Sequence, residues 1–81
     1  MFQQKIDIER LINNFKRLHT FKSSLSSYPV TNTMQDIIDR INRLKFRYSY
    51  YNDQDVNDSD GYILASIIKE SDVLTELIKG F

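Results

Sequence analysis

An acidic segment at residues 52–60 holds the side chains best suited to metal chemistry, the carboxylates of Asp53, Asp55, Asp58 and Asp60. Carboxylate oxygens suit calcium, and an EF-hand loop requires them at positions 1, 3 and 5, with glycine at position 6 and glutamate at position 12. Counted from Asp53, position 12 is Leu64; counted from Asp55, it is Ser66, and neither start places glycine at position 6. We therefore expect a solvated polar turn rather than a metal site.

Side chains for catalysis are sparse. The chain has no cysteine, and its one histidine, His19, is predicted to lie half-buried at the edge of a helix. Zinc needs three or four Cys, His or carboxylate ligands, and a catalytic serine needs a base held beside it; the sequence contains no motif for either. The glycines, Gly61 and Gly80, do not form a phosphate-binding loop. We therefore expect no catalytic residue, no cofactor and no metal, and a protein that is not an enzyme.

A basic and aromatic segment, KFRYSYY at residues 45–51, precedes the acidic one. On a helix, Phe46 would point nearly opposite the side that carries Tyr48 and Tyr51. It would lie near Arg43, Arg47 and Tyr50. Aromatic and arginine side chains are enriched at protein interfaces. The predicted partner-binding residues are Arg40, Arg43, Phe46, Arg47 and Tyr50. Two alternatives stay open: Phe46 is an ordinary exposed apolar residue, or a third helix covers it.

Nucleic-acid binding is a second interpretation of the basic residues. Arg10, Lys16 and Arg17 of the first helix, with the arginines of the second, could follow a phosphate backbone while aromatic rings stack on exposed bases. The chain, however, has eleven basic and eleven acidic residues, so it lacks the basic excess typical of such domains. Nucleic-acid binding is therefore the alternative rather than the first interpretation.

Three stretches place apolar residues at steps of three and four, the spacing of an amphipathic helix. The first helix is predicted over about residues 3–26, ending ahead of Pro29. Its apolar side chains are Ile8, Leu11, Phe15, Leu18 and Leu25, widened by Ile12 and Phe21. The second helix is predicted over about residues 34–51, with Thr33 as N-cap and Asp36 completing a capping box. Its apolar side chains are Met34, Ile37, Ile41, Leu44, Tyr48 and Tyr51.

Residues 45–51 and the third stretch each allow two structures. Aromatic residues in 45–51 alternate with polar ones, which is a strand period, but a lone strand would leave its backbone groups unpaired, so a helix is favoured. The third helix, about residues 62–80, is either one bent helix or is broken near Ser71 into two short helices, residues 62–69 and 72–80, because Ser71 could cap a new helix. Its apolar side chains are Leu64, Ile67, Leu74, Ile78 and Phe81, widened by Ile63, Ile68, Val73 and Leu77.

The predicted fold class is all-α, a small antiparallel three-helix bundle in one domain, with a helical hairpin that dimerises as the alternative. A chain of 81 residues buries a thin core, so self-association or a bound partner would add stability. Residues 1–51 carry a formal charge of +5 and residues 52–81 a charge of −5. These halves would attract each other within one fold or between copies.

Together these features predict a small regulatory or adaptor protein that binds another protein and blocks or steers it, as an accessory inhibitor would. A homo-oligomer is compatible with the same features. No segment approaches the roughly 18 apolar residues of a membrane span, and no secretory signal is recognised. The lack of cysteine suits a reducing compartment, so a cytoplasmic location is expected.

Overall fold

In a computed structural model, the chain forms three α-helices. The structure describes residues 4–25, 29–53, 58 and 61–80, with side chains from residue 7 onward. The helices are α1 (Gln4–Ser24), α2 (Asn32–Asp53) and α3 (Tyr62–Ile78), and no strand occurs among the described residues. The all-α prediction is confirmed, and the strand alternative for residues 45–51 is wrong because that stretch lies inside α2. Phe81, assigned to the third apolar stripe, lies outside the described residues.

The N-terminus of α2 differs from the sequence prediction. The backbone N–H of Met34 donates to the hydroxyl of Thr31 at 3.2 Å, so Thr31 is the N-cap. Thr33 lies within the first turn of the helix, and the predicted capping box of Thr33 and Asp36 is therefore wrong. Both threonines have a suitable side chain, and their spacing to the apolar stripe does not distinguish them.

α3 is one helix, so of the two alternatives for this region the one with a break near Ser71 is wrong. Ser71 is completely buried, and its hydroxyl donates to the carbonyl oxygen of Ile68 at 2.6 Å. Because the hydroxyl is satisfied by the preceding turn, it does not cap a new helix.

α2 runs antiparallel to both other helices, which makes α1 and α3 parallel. As residue numbers rise along α1, their contact partners in α2 have falling numbers. The same relation holds between α2 and α3. The pairs that show this are Phe15–Tyr48 and Lys22–Asn42 on the α1 side, and Arg40–Glu70 and Arg47–Ser66 on the α3 side. The predicted antiparallel three-helix bundle is confirmed.

The core lies where the apolar stripes of the three helices meet. Its buried cluster is entirely aliphatic and consists of Leu11, Leu18, Ile37, Ile41, Leu44, Leu64, Ile67, Ile68 and Leu74. These are residues of the predicted stripes, but four predicted members lie at the margins instead: Ile12 is 44% exposed, and Ile63, Val73 and Leu77 are 38–40% exposed. Because each helix of a three-helix bundle buries one stripe, these residues at the edge of the stripe remain partly in water, whereas Ile68, which also widens it, is buried.

A polar cluster centred on the buried residues Asn14 and Ser71 joins α1 to α3. Asn14, in the core-facing side of α1, donates to Ser71 Oγ at 2.9 Å and to Asp72 Oδ1 at 2.7 Å. The Nε atom of Arg10 lies 3.5 Å from the same carboxylate oxygen. A buried amide without partners would be costly, so these contacts favour the one alignment of α1 and α3 that satisfies Asn14. The helical period of the sequence does not reveal this cluster.

Among the described residues, two ion pairs join the basic and acidic halves of the chain within the fold. Arg10 pairs with Asp72, and Arg40 Nη2 lies 2.9 Å from Glu70 Oε1. At these positions the predicted attraction between the halves is intramolecular. The four side chains are 31–50% exposed, so each pair contributes at most about 1 kcal/mol.

Replacement of Asn14 by alanine tests the polar cluster. Asn14→Ala removes two hydrogen bonds at a buried position, and we expect it to lower the free energy of unfolding by about 1–3 kcal/mol in urea titrations followed by circular dichroism. Asn13→Ala is the matched control because Asn13 is exposed and the gain in helix propensity is the same. Equal stabilities of the two variants would contradict a structural role for the cluster.

Candidate functional site

Phe46 lies on the outer side of α2. The core-facing side of this helix is defined by the buried residues Ile37, Ile41 and Leu44. Phe46 follows Leu44 by two positions and therefore points away from the core; it is 72% exposed, and Tyr50, one turn later, is 57% exposed. The predicted exposure of Phe46 is confirmed, and the alternative in which a third helix covers it is wrong.

A groove of about 290 Å³ lies between the C-terminal half of α2 and the N-terminal half of α3. Its lining consists of Phe46, Arg47, Tyr50, Tyr51, Ile63 and Ile67. Because five of these six side chains are aliphatic or aromatic, the groove offers apolar surface to a ligand. Ile63 and Ile67 were not predicted as site residues, because their position beside Phe46 depends on how α3 packs against α2.

The five predicted site residues do not all lie in one place. Phe46, Arg47 and Tyr50 line the groove together. Arg43 is exposed one turn before Arg47 and makes no hydrogen bond or ion pair with a described residue. The guanidinium of Arg40 is held in the ion pair with α3 instead. We call the surface formed by Arg43, Phe46, Arg47, Tyr50 and Ile63 the α2–α3 face.

The positive charge of the α2–α3 face is not neutralised within the described part of the chain. Arg47 Nη2 donates to the neutral hydroxyl of Ser66 at 3.2 Å, and neither Arg47 nor Arg43 pairs with a described carboxylate. Arginine presents planar donors that match a carboxylate in bidentate geometry. The face therefore combines an apolar groove with two guanidinium groups available to an external acid.

Asp58 caps α3 and contacts Tyr51, one of the residues that line the groove. Its carboxylate accepts hydrogen bonds from the backbone N–H groups of Ile63 at 2.9 Å and Leu64 at 3.1 Å, and from the Tyr51 hydroxyl at 3.0 Å. The residue at the N-cap position of α3 is Gly61, which has no side chain that could accept these hydrogen bonds. Its φ is 75°, which glycine adopts without strain. In the acidic segment, this carboxylate therefore serves as a helix cap; Asp55 and Asp60 lie outside the described residues.

The contact between Tyr51 and Asp58 shifts both pKa values. Desolvation by itself would raise the pKa of Asp58, but hydrogen bonds from the backbone N–H groups at the start of α3 and from Tyr51 outweigh it, so the pKa lies below its usual value. Burial raises the pKa of Tyr51, and the hydrogen bond and negative charge of Asp58 raise it further. At neutral pH the pair is thus a carboxylate and a neutral phenol that donates to it.

The Asp58 cap predicts an acid-dependent loss of stability. Because the pKa of Asp58 is lowered by folding, its stabilisation is fully present above the unfolded value of about 3.9 and is lost as the pH falls through the folded pKa. Asp58→Ala should therefore melt at a lower temperature than wild type at pH 7, and the gap should close on acidification below about pH 4.

Asp36→Ala is the control for this prediction, because Asp36 is exposed on α2. We expect its melting temperature to stay close to that of wild type at both pH values. Melting temperatures are measured by circular dichroism. If the difference between wild type and Asp58→Ala is the same in acid as at pH 7, the role of the ionised carboxylate is contradicted.

The basic residues do not form one continuous strip. Lys16, His19 and Lys45 border a shallow concavity between α1 and α2, whereas Arg47 lines the groove beside α3. His19 is exposed rather than half-buried as predicted, because it lies beyond the margin of the α1 stripe. A phosphate backbone would thus meet basic side chains on two different sides of α2.

No family model, curated protein or solved structure matches the chain. In the part of the chain that the structure describes, no group of three or more His, Asp or Glu side chains is placed to hold a metal ion. None of the described helices is both long and apolar enough to cross a bilayer. The α2–α3 face is therefore the feature of the described chain that points to a function.

Proposed function

We propose that this chain is a small, non-enzymatic regulatory or adaptor protein that binds another protein through the α2–α3 face and blocks or steers it, as an accessory inhibitor does. The observation that carries the proposal is the exposure of Phe46 beside an apolar groove. Burial of a phenylalanine side chain contributes about 1.5–3 kcal/mol, and a partner that covers Phe46 would gain this free energy on binding. The absence of cysteine from the sequence supports action in the cytoplasm.

The chemistry of the face supports a protein partner. Interface hot spots combine aromatic and arginine side chains around a desolvated centre, with polar groups at the rim. Phe46 and Tyr50 supply the aromatic centre here, and Arg43 and Arg47 supply the charged rim. A suitable partner inserts an apolar side chain into the groove and offers a carboxylate to the arginines.

Capture from the native cell lysate tests this function. Tagged wild-type protein and the Phe46→Ala variant are compared by mass spectrometry, each with and without nuclease. We expect nuclease-resistant capture of a stoichiometric protein by wild type and a loss of more than about tenfold in affinity for Phe46→Ala, because hot-spot truncations cost about 2 kcal/mol or more. The helicity and melting temperature of the variant should stay near those of wild type.

Ile12→Ala is the matched control, because Ile12 is also an exposed apolar residue but lies on α1, outside the α2–α3 face. We expect it to capture the target like wild type. Equal capture by both variants, or unfolding of Phe46→Ala, would contradict the proposal. Partners that disappear with nuclease would instead support the alternative function, nucleic-acid binding through the basic residues of α1 and α2.

A further inference from the structure

Four exposed residues form a second stripe along the outer side of α2, in the order Arg43, Phe46, Tyr50 and Asp53. Steps of three, four and three place them on one side of the helix, as in the seam of a coiled coil. Along this stripe a cation is followed by two aromatic rings and an anion. The charged pair and the aromatic pair are both centred on residue 48. An antiparallel copy of the same stripe would therefore place Arg43 opposite Asp53 and Phe46 opposite Tyr50.

The cationic end of the stripe has no acid within the described chain to neutralise it. Asp39, one turn before Arg43, accepts a hydrogen bond from the side chain of Gln35 at 3.0 Å and is not in an ion pair with Arg43. One turn after Arg43 comes Arg47, a like charge that destabilises the helix when both lack partners. An external carboxylate at Arg43 would relieve this repulsion.

The anionic end of the stripe is also unfavourably placed in the single chain. Asp53 is exposed at the C-terminal end of α2, and the last turn of this helix contains no basic residue. The negative pole of the helix dipole repels a carboxylate there. An external cation at Asp53 would therefore be stabilising.

We propose that in the free protein a second copy of this chain covers the α2–α3 face, in a two-fold dimer with antiparallel α2 helices and the axis on the outer side of α2, at the level of residue 48. Arg43 of each copy then lies opposite Asp53 of the other, and Phe46 lies opposite Tyr50, so that every contact occurs twice. The two charged contacts flank the aromatic centre at a spacing of about 15 Å along the helix. Phe46 enters the groove that Tyr50 and Ile63 of the other copy line.

This inference rests on the proposed function, because both use the α2–α3 face. The second copy is the resting occupant of the face, and the target protein displaces it. Dimerisation and target binding therefore exclude one another, and dilution of the protein favours the form that is ready to bind.

Charge reversal tests the dimer. By sedimentation equilibrium, the mass of the wild type should rise from 9.6 kDa toward twice that value as the concentration increases from micromolar to millimolar. Arg43→Glu and Asp53→Arg each place like charges across the axis, so each variant should have a dimer dissociation constant raised at least about tenfold. An equimolar mixture of the two variants should dimerise again, because both charged contacts then join unlike charges.

Arg17→Glu is the control, an equal charge change at an exposed position of α1, and should dimerise like wild type. A wild-type mass of 9.6 kDa at every concentration, or a mixture of the two reversals that stays monomeric, would overturn the dimer. Target capture that still depends on Phe46 would leave the proposed function standing in that case. A charge-dependent dimer that captures no target would support the dimer and contradict the proposed function.

Discussion

Each helix of a three-helix bundle can bury only one apolar stripe, and this constraint determines which side chains of the protein stay in water. α2 uses its stripe of Ile37, Ile41 and Leu44 to cover α1 and α3. Of its four aromatic residues, Tyr48 and Tyr51 pack against the core, whereas Phe46 and Tyr50 lie exposed on the outer side. The α2–α3 face is thus a direct consequence of a helix with aromatic side chains on two sides in a bundle that covers one of them.

Two polar contacts fix the position of α3 between its neighbours. Asn14 of α1 satisfies its amide on Ser71 and Asp72 near the middle of α3. Asp58 caps the start of α3 and accepts a hydrogen bond from Tyr51 of α2. Because aliphatic packing tolerates small shifts of one helix along another, directional hydrogen bonds of this kind select one register. The groove keeps its shape because the helix that forms its second wall is held at both places.

The helical period of the sequence was sufficient to predict the three helices, the aliphatic core and the exposure of Phe46. These features depend on spacing within one helix, as in the steps from Ile37 to Ile41 and Leu44. The remaining features depend on residues distant in the chain. Asn14 and Ser71 are 57 positions apart, and nothing in the local pattern of either residue indicates that they meet. The place of Ile63 in the groove likewise depends on the packing of α3 against α2 and not on the local sequence.

Local chemistry also left choices that only packing resolves. Thr31 and Thr33 are equally good N-caps by residue type, and Ser71 is as suitable for a cap as for a buried hydroxyl. The sequence pattern places Asp58 in a polar turn without a specific role. The missing side chain at Gly61, however, implies that another residue must accept hydrogen bonds from the first N–H groups of α3. That absence is the signal that could have identified Asp58.

In the proposed dimer, the α2–α3 face of each chain is covered by a second copy. An isotope-filtered NOE experiment on an equal mixture of labelled and unlabelled protein detects only contacts between copies and therefore tests this arrangement. We expect intermolecular NOEs between the rings of Phe46 and Tyr50 and from Phe46 to Ile63. Intermolecular NOEs confined to another surface, such as Ile12 or Val73, or none at millimolar concentration, would contradict it.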